Sequence, residues 1–293
     1  MYRSLKKWSP IFFLPTALAF AVSFIVPFIY GIFFSFCEFQ TLSKFSFVGL
    51  ENYRRVLFSG QYNFWESLAF TTAFAMLAVI IINVAAFFLA VGLTRNIRGR
   101  NLFRTVFFMP NLIGGIVLGY VWKMVLNYGV LLPIFGKDLS FSSNFGFVGL
   151  LMVLCWQQIG YMMIIYIAGL QAVPDSLIEA AKIDGATAPQ TLWHVTVPMV
   201  MPAITICLFL SITGAFKLYD QNLALTGGLP AVTGADGVTH KLTQMLALCI
   251  SDTYGNSARA HGTAQAMAVI FFIIVALLSL LQLRLTHKRE VDQ

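Results

Sequence analysis

Three ionisable side chains, Glu179, Lys182 and Asp184, lie close together in the stretch LIEAAKIDGATAPQTLWHVTVP, Leu177 to Pro198, which also carries a glycine and two prolines. Acid–base catalysis would need a carboxylate pair or a suitably placed histidine. The histidines, His194, His240, His261 and His287, are scattered, and the sequence has no HExxH string and no evident catalytic carboxylate pair. An integral membrane enzyme is therefore disfavoured, and the chemistry left to this stretch is recognition by another surface. A second set of residues is equipped to bind a polar solute. Trp122, Lys123, Asn127 and Tyr128 end one apolar run, Trp156, Gln157, Gln158 and Tyr161 lie inside another, and Phe216, Lys217, Tyr219, Asp220, Gln221 and Asn222 end a third. Amide, carboxylate and ammonium groups mixed with aromatic faces suit a sugar: hydroxyls need donors and acceptors, and the C–H faces of the ring pack on aromatics. Polar residues at membrane depth are costly and default to function. The pathway candidates are Lys123, Trp156, Gln157, Gln158, Tyr161, Lys217, Tyr219 and Asp220, and the spacing of Gln157, Gln158 and Tyr161 lets them share a helix face. A plainer reading stands beside this one, with the aromatics as interfacial anchors, the lysines snorkelling and Lys217 neutralising Asp220 at i, i+3.

The elements that must position these residues are membrane spans. The chain is 58% hydrophobic and 11% charged, with mean hydropathy +0.79, whereas a soluble domain keeps roughly a quarter of its residues charged. Six apolar segments reach the roughly 20 residues that a crossing needs: Ile11–Phe36, Leu68–Leu93, Val106–Leu126, Val148–Leu170, Met199–Tyr219 and Ala264–Leu283. They are continuous rather than alternating, which disfavours a β-barrel. The expected fold is an all-α integral membrane protein of six transmembrane helices, a single permeation domain over 1–293. The N-terminus, MYRSLKKWSP, has the charge layout of a signal peptide, but the apolar run after it is too long for a cleaved signal and reads as a first span.

The distribution of basic residues sets the orientation. With the N-terminus inside, the cytoplasmic stretches hold Arg3, Lys6, Lys7, Arg95, Arg98, Arg100, Arg104, Lys182, Arg284, Lys288 and Arg289, against Lys44, Arg54, Arg55, Lys137, Lys241 and Arg259 outside. Both termini are then cytoplasmic, and the Leu177–Pro198 stretch lies in the cytoplasmic loop between spans four and five. The net charge of +7 follows this pattern, in short patches beside apolar runs, and does not point to nucleic acid. Cys37, Cys155, Cys207 and Cys249 show no metal-ligand spacing and read as buried thiols, with a Cys37–Cys249 disulfide as the alternative. Gly115 and Gly119 form a GxxxG for close helix approach, Pro15, Pro27 and Pro110 mark kinks or helix entries, and Phe47–Leu57 reads as a short amphipathic surface segment.

Within the polar insert, Pro174 ends a span and Ser176 with Glu179 fits a capping box, predicting a helix start. Ala180 and Ala181 favour the helix and permit close approach, and Asp184-Gly185 ends it. Pro189 suits the first turn of a second helix that stops near Pro198. Two short angled helices with apolar contacts from Leu177, Ile178, Ala181, Leu192, Trp193 and Val197 make either a knob for a partner's groove or a simple connector.

The string E-A-A-x-x-x-G, then nine residues, then V-x-V-P is spelled by Glu179, Ala180, Ala181, Gly185, Val195, Val197 and Pro198. It resembles the EAA loop of ABC importer permeases, with Val195 and Val197 where that loop usually has Ile and Leu. SLIEAAKIDGA resembles the form found in carbohydrate permeases of the oligosaccharide and glycerol-phosphate type. FVGLENY, RTVFFMPNL and TGGLP add weaker matches along most of the chain.

The resemblance implies that residues 174–198 are a coupling loop seated in a cytoplasmic ATPase dimer, with Glu179, Ala180, Ala181, Asp184, Gly185, Ala186 and Pro198 at the contact. The chain has no G-x-x-x-x-G-K-[ST] string, so ATP and magnesium are expected on that partner and no cofactor on this chain. It further implies a second permease subunit (a different, homologous chain), an extracytoplasmic solute-binding protein meeting the loop Leu225–Ser257, a carbohydrate substrate and a multi-pass location in the bacterial plasma membrane. That loop is longer than the family pattern, with GADG inserted. The alternative is a stand-alone secondary transporter or channel, which would place ion-coupling carboxylates near the membrane midplane. None of the twelve acids sits mid-span, and Glu66 and Asp220 are at span ends.

Overall fold

The computed structural model describes residues 13–41, 44–95, 97–234, 237 and 239–287. Five helices among them are long and apolar enough to cross a bilayer: Phe13–Ser35, Phe64–Thr94, Gly115–Phe135, Ser143–Gln171 and Ala258–His287. Met201–Phe216 passes the same test only together with Ala188–Met199, to which it is bent by 71°. Where the sequence predicts six continuous spans there are five, or six if the bent pair counts as one; the five are spans one to four and six, and Met201–Phe216 is span five. Ile11, at the expected start of span one, and the basic residues Arg3, Lys6, Lys7, Lys288 and Arg289 lie outside the described residues.

Span three departs most from expectation. Val106–Leu126 is not one helix: Arg100–Phe108 is a separate helix, Met109–Leu112 a 3-10 turn, and Ile113 is extended at ψ 130° before span three begins at Gly115. Pro110 lacks an N–H and tightens the turn, and Gly114, extended at φ −59° and ψ 139°, is the N-cap from which span three starts. Hydropathy reads straight across the break because both sides are apolar. Nor is the chain strictly all-α. Two antiparallel ribbons lie outside the spans, β1 (Cys37–Thr41) with β2 (Lys44–Phe47), and β3 (Ala231–Thr233) with β4 (Thr239–Lys241).

Three π-helical segments share one register with proline. They are Ala21–Ile25, Asn127–Leu131 and Leu192–Thr196. In each, the residue just before Pro27, Pro133 or Pro198 donates its N–H five residues back, to Ala21, Asn127 or Leu192. A proline in a helix offers no N–H and crowds the carbonyl four residues earlier; widening that turn by one residue relieves the clash.

The chain forms two compact units, 1–64 with 250–272, and 65–249 with 273–293. In the first, span one leads into the β1–β2 hairpin and then the helix Glu51–Phe58. Fully buried Asn52 joins these pieces. Its Nδ2 donates to the Ser35 and Cys37 carbonyls at 2.9 and 2.8 Å, and its Oδ1 accepts from Thr263 at the start of span six. The expected amphipathic segment is present, with Asn52 and Val56 as its buried face.

In the second unit, spans two to five pack around glycine contacts. The GxxxG expectation holds: a Cβ on Gly119 would sit 2.6 Å from the Ala224 methyl, and one on Gly115 would press on Asp220 and Gln221 of the short helix Asp220–Leu225. Gly160 on span four lies so close to the Phe107 carbonyl that any side chain would collide with it. All four cysteines are buried thiols, which sets aside the Cys37–Cys249 bridge. Burial pushes the Cys37 thiol above its ordinary range.

Candidate functional site

The polar insert folds as two helices, Asp175–Ile183 and Ala188–Met199. The first starts differently from the sequence reading. Its N-cap is Pro174 and no side chain caps it, so the Ser176–Glu179 capping box does not form. Pro174 already supplies the extended backbone a cap requires, placing Ser176 inside the first turn. A capping box forms instead at the second helix, between Thr187 and Gln190, where the N–H and hydroxyl of Thr187 both donate to Gln190 Oε1 at 2.8 Å.

The helix exit is as expected. Gly185 has φ +78°, its N–H reaches the Lys182 carbonyl at 3.1 Å, and the Ala186 N–H reaches Ala181 at 2.9 Å. This pair of bonds is a Schellman motif, and its left-handed residue favours glycine. No atom lies within 4 Å of where a Cβ would stand, so the demand at Gly185 is conformational rather than steric. Glu179, Ala180, Asp184 and Gly185 are exposed, while Ala181, Ala186 and Pro198 are half-buried. Glu179, Lys182 and Asp184 are in no ion pair among the described residues. A recess of 360 Å³ at the bend is lined by Asp184, Gly185, Ala186, Gln190, Thr191, His194 and Val195.

Large apolar side chains on the same two helices are also open. Trp193 is 56% exposed, Leu177 40% and Ile183 86%. Ile183 was not among the contacts expected from sequence. Its signal was available, because the residue just before an Asp-Gly stop projects at the tip of the helix.

The pathway candidates come only partly together. Gln157 is buried, and its Oε1 accepts from Gln221 Nε2 at 2.6 Å while its Nε2 donates to the Ile113 carbonyl at 3.0 Å. The carbonyl is free because span three breaks there. Gln158 and Tyr161 are half-buried and Trp156 is exposed, with Trp156 edge-on to Trp122 at 5.3 Å. Lys123 and Tyr219 are half-buried. Lys217 and Asp220 are exposed and in no ion pair among the described residues, so the neutralising contact between them is not made. The shared face of Gln157, Gln158 and Tyr161 fans out from core to surface.

Sequence reasoning missed a second polar node. Tyr166 donates to Asn83 Oδ1 at 2.7 Å, and Asn83 Nδ2 donates to Ser211 Oγ at 2.8 Å and to the Val79 carbonyl at 2.8 Å. Ser211 in turn donates to the Cys207 carbonyl at 2.7 Å. These buried groups tie spans two, four and five together. A lone asparagine in IIINVAAF was the available signal. In the loop after span five, Asn222 accepts from the Met245 N–H and donates to the Thr243 carbonyl, closing the TGGLP turn. Ala235 and Asp236 of the inserted GADG lie outside the described residues.

A family model described as "binding-protein-dependent transport system inner membrane component" matches residues 82–291. The probable starch degradation products transport system permease protein AmyD of Thermoanaerobacterium thermosulfurigenes is 41% identical, over 97% of this chain and 96% of that protein. The multiple sugar-binding transport system permease protein MsmF of Streptococcus mutans is 31% identical, over 98% of this chain and 97% of that protein. Among solved structures, a bacterial ABC transporter involved in the import of the acidic polysaccharide alginate matches with a TM-score of 0.77 at 16% identity, covering 98% of each chain.

Proposed function

The chain belongs to the family of inner membrane components of binding-protein-dependent transport systems, and on that premise we propose that it conducts a carbohydrate and is driven through its Pro174–Pro198 elbow. It is a permease subunit of an ATP-binding-cassette importer and not an enzyme; ATP hydrolysis belongs to a separate chain. In the proposed arrangement residues 1–293 act as one permease domain in the bacterial inner membrane, crossing it several times, with both termini and the elbow cytoplasmic. A cytoplasmic ATPase dimer carrying ATP and magnesium grips Glu179, Ala180, Ala181, Asp184, Gly185, Ala186 and Pro198. A second, homologous permease chain completes the pathway, and an extracytoplasmic binding protein delivers solute to the loop Leu225–Ser257.

The observation that carries the coupling role is the elbow's surface. Ile183 stands exposed between Lys182 and Asp184 at the end of a glycine-terminated helix, Trp193 is exposed on the second helix, and Glu179, Lys182 and Asp184 are in no ion pair among the described residues. Carbohydrate is favoured by the relatives named for starch degradation products and multiple sugars. The interior agrees chemically: the buried polar side chains among the described residues are serine, threonine, asparagine and glutamine, none charged. Neutral donors and acceptors suit a hydroxylated solute. Transport follows if ATPase and solute each bind the inward- and outward-open states with different affinity.

The test is ATP-dependent uptake of a labelled oligosaccharide by the reconstituted assembly. Gly185→Pro and Glu179→Lys are expected to abolish uptake and to release the ATPase during purification. Uptake and association that both survive these changes would remove the coupling role. Competition by unlabelled sugars, but not by glycerol phosphodiesters, is expected if the solute is a carbohydrate.

A further inference from the structure

Span one, in the first unit, meets span six at Phe28 and Phe272, whose rings stand edge-on at 5.2 Å. What fixes its end is the Asn52 staple, which binds the Ser35 carbonyl where the span stops and the Cys37 carbonyl where the hairpin begins. The surface of that cap is unusual in composition.

The helix Glu51–Phe58 turns Asn52 and Val56 inward, one turn apart. On the side opposite, Leu50, Arg54 and Phe58 form a single i, i+4, i+8 row. Leu50 is 68% exposed and Phe58 80%, and on the hairpin Phe47 is 69% exposed. The acidic groups stay on the flank, where Arg55 pairs with Glu38 at 2.7 Å and with Glu51 at 3.6 Å. A water-facing helix puts polar residues opposite its core. This one puts large apolar side chains there, around an arginine for which no ion pair occurs among the described residues.

Chain connectivity says what covers that row. The described part of span one, Phe13–Ser35, has 23 residues, roughly 34 Å of helix at 1.5 Å per residue, which reaches across a hydrocarbon core of about 30 Å. Its end therefore lies at the boundary of the bilayer, and the hairpin starts two residues later. An apolar row with a charged flank, held at that height, is the pattern of an interfacial helix. We propose that this cap is a lipid anchor: Phe47, Leu50 and Phe58 insert into the acyl boundary of the leaflet where span one ends, and the Arg54 guanidinium binds lipid phosphate. The cap then sets the depth of the span it follows. The proposal rests on the membrane-spanning reading of Phe13–Ser35 and not on the elbow or the substrate.

The experiment uses the whole transporter in nanodiscs of phosphatidylcholine and phosphatidylglycerol, with nitroxide labels at Leu50→Cys and Phe58→Cys. The unmodified assembly, whose permease thiols are buried in this chain, supplies the labelling blank. Collisions with oxygen should exceed those with a water-soluble nickel chelate at least threefold at both sites. Nickel-dominated collisions at both sites would make the row water-facing, and protection from both reagents would make it a protein interface; either overturns the anchor. Adding Arg54→Glu to Phe58→Cys should lower the oxygen-to-nickel ratio at least twofold, and an unchanged ratio would remove the phosphate contact. Uptake by the reconstituted Gly185→Pro assembly, which tests the elbow, leaves these ratios unmoved.

Discussion

The Asn83 node and the elbow use polar groups in opposite ways. In the node, the Tyr166 hydroxyl, the Asn83 amide and the Ser211 hydroxyl are all bonded within the chain. At the elbow, Glu179, Lys182 and Asp184 are in no ion pair among the described residues, and Ile183 lies open next to Lys182 and Asp184. A buried polar group without a partner costs about 1–3 kcal/mol, so the node is bound to be complete. An exposed charge bears no such cost and can wait for another molecule. Internal satisfaction thus marks residues that hold the helices to one another, whereas exposed, unpaired groups beside apolar side chains are open to a contact from outside.

Crossing the two regions gives the sharpest test. Ile183→Asp should weaken ATPase binding about 100-fold, or ~2.7 kcal/mol, as a central apolar anchor does. The melting temperature of the isolated permease should not move, because Ile183 contributes little to its packing. Binding by a fluorescence-labelled ATPase and a thermal melt in detergent read the two quantities separately. A variant that binds normally but melts early would invert the comparison.

Asn83→Leu is the mirror experiment, with a smaller effect. It strands the Tyr166 hydroxyl and should cost about 1–2 kcal/mol, the upper part of the range for interhelical hydrogen bonds in membranes. Adding Tyr166→Phe should cost less than Tyr166→Phe does alone, since the hydroxyl has by then lost its acceptor. Additive losses in the melts would mean that the node does not act as a unit.

The Gln157–Gln221 pair lies between these cases, because one of its bonds ends on a carbonyl exposed by a helix break. Gln157→Leu and Gln221→Leu should show a coupling of about 1 kcal/mol in a double-mutant cycle on stability. If the cluster also meets solute, Gln157→Leu raises the uptake KM roughly 10-fold while ATPase association stays normal, an effect of ~1.4 kcal/mol. An unchanged KM would leave the pair as a strut that holds the break of span three.

What the sequence made legible follows from the length scale of each signal. The spans could be read because twenty apolar residues have few other uses, and the elbow because Asp184-Gly185 and Pro189 act locally. The break at Ile113 could not be read from hydropathy, which averages over it, although Pro110 and Gly114 were in view. Ser176 was misread as a cap because the capping-box pattern ignores what the preceding proline already does. Asn83, Tyr166 and Ser211 are far apart in sequence, and only packing brings them together. The anchoring face of Glu51–Phe58 was half legible: the amphipathic period was visible, but the second apolar row is evident only once Asn52 and Val56 are seen to face inward.

The ion pair of Arg55 with Glu38 separates two explanations of the comparison, because it is partnered yet about a third exposed, at 32% and 35%. If pairing alone decided a group's importance, breaking it would cost as much as breaking the node. If burial decides, the loss should be under about 1 kcal/mol and should shrink as salt rises. The hydrogen bond to Glu38 lifts Arg55 above the ordinary guanidinium value, with burial opposing it. A raised cation stabilises at every pH below its unfolded value and loses that contribution only on passing its folded value, so Arg55 adds no pH dependence in the acid or neutral range. Melts of Glu38→Gln at low and high salt should therefore differ from the parent by a few tenths of a kcal/mol at most, and by less in high salt. A loss as large as that of Asn83→Leu, insensitive to salt, would show that pairing rather than burial governs which polar groups this chain must complete.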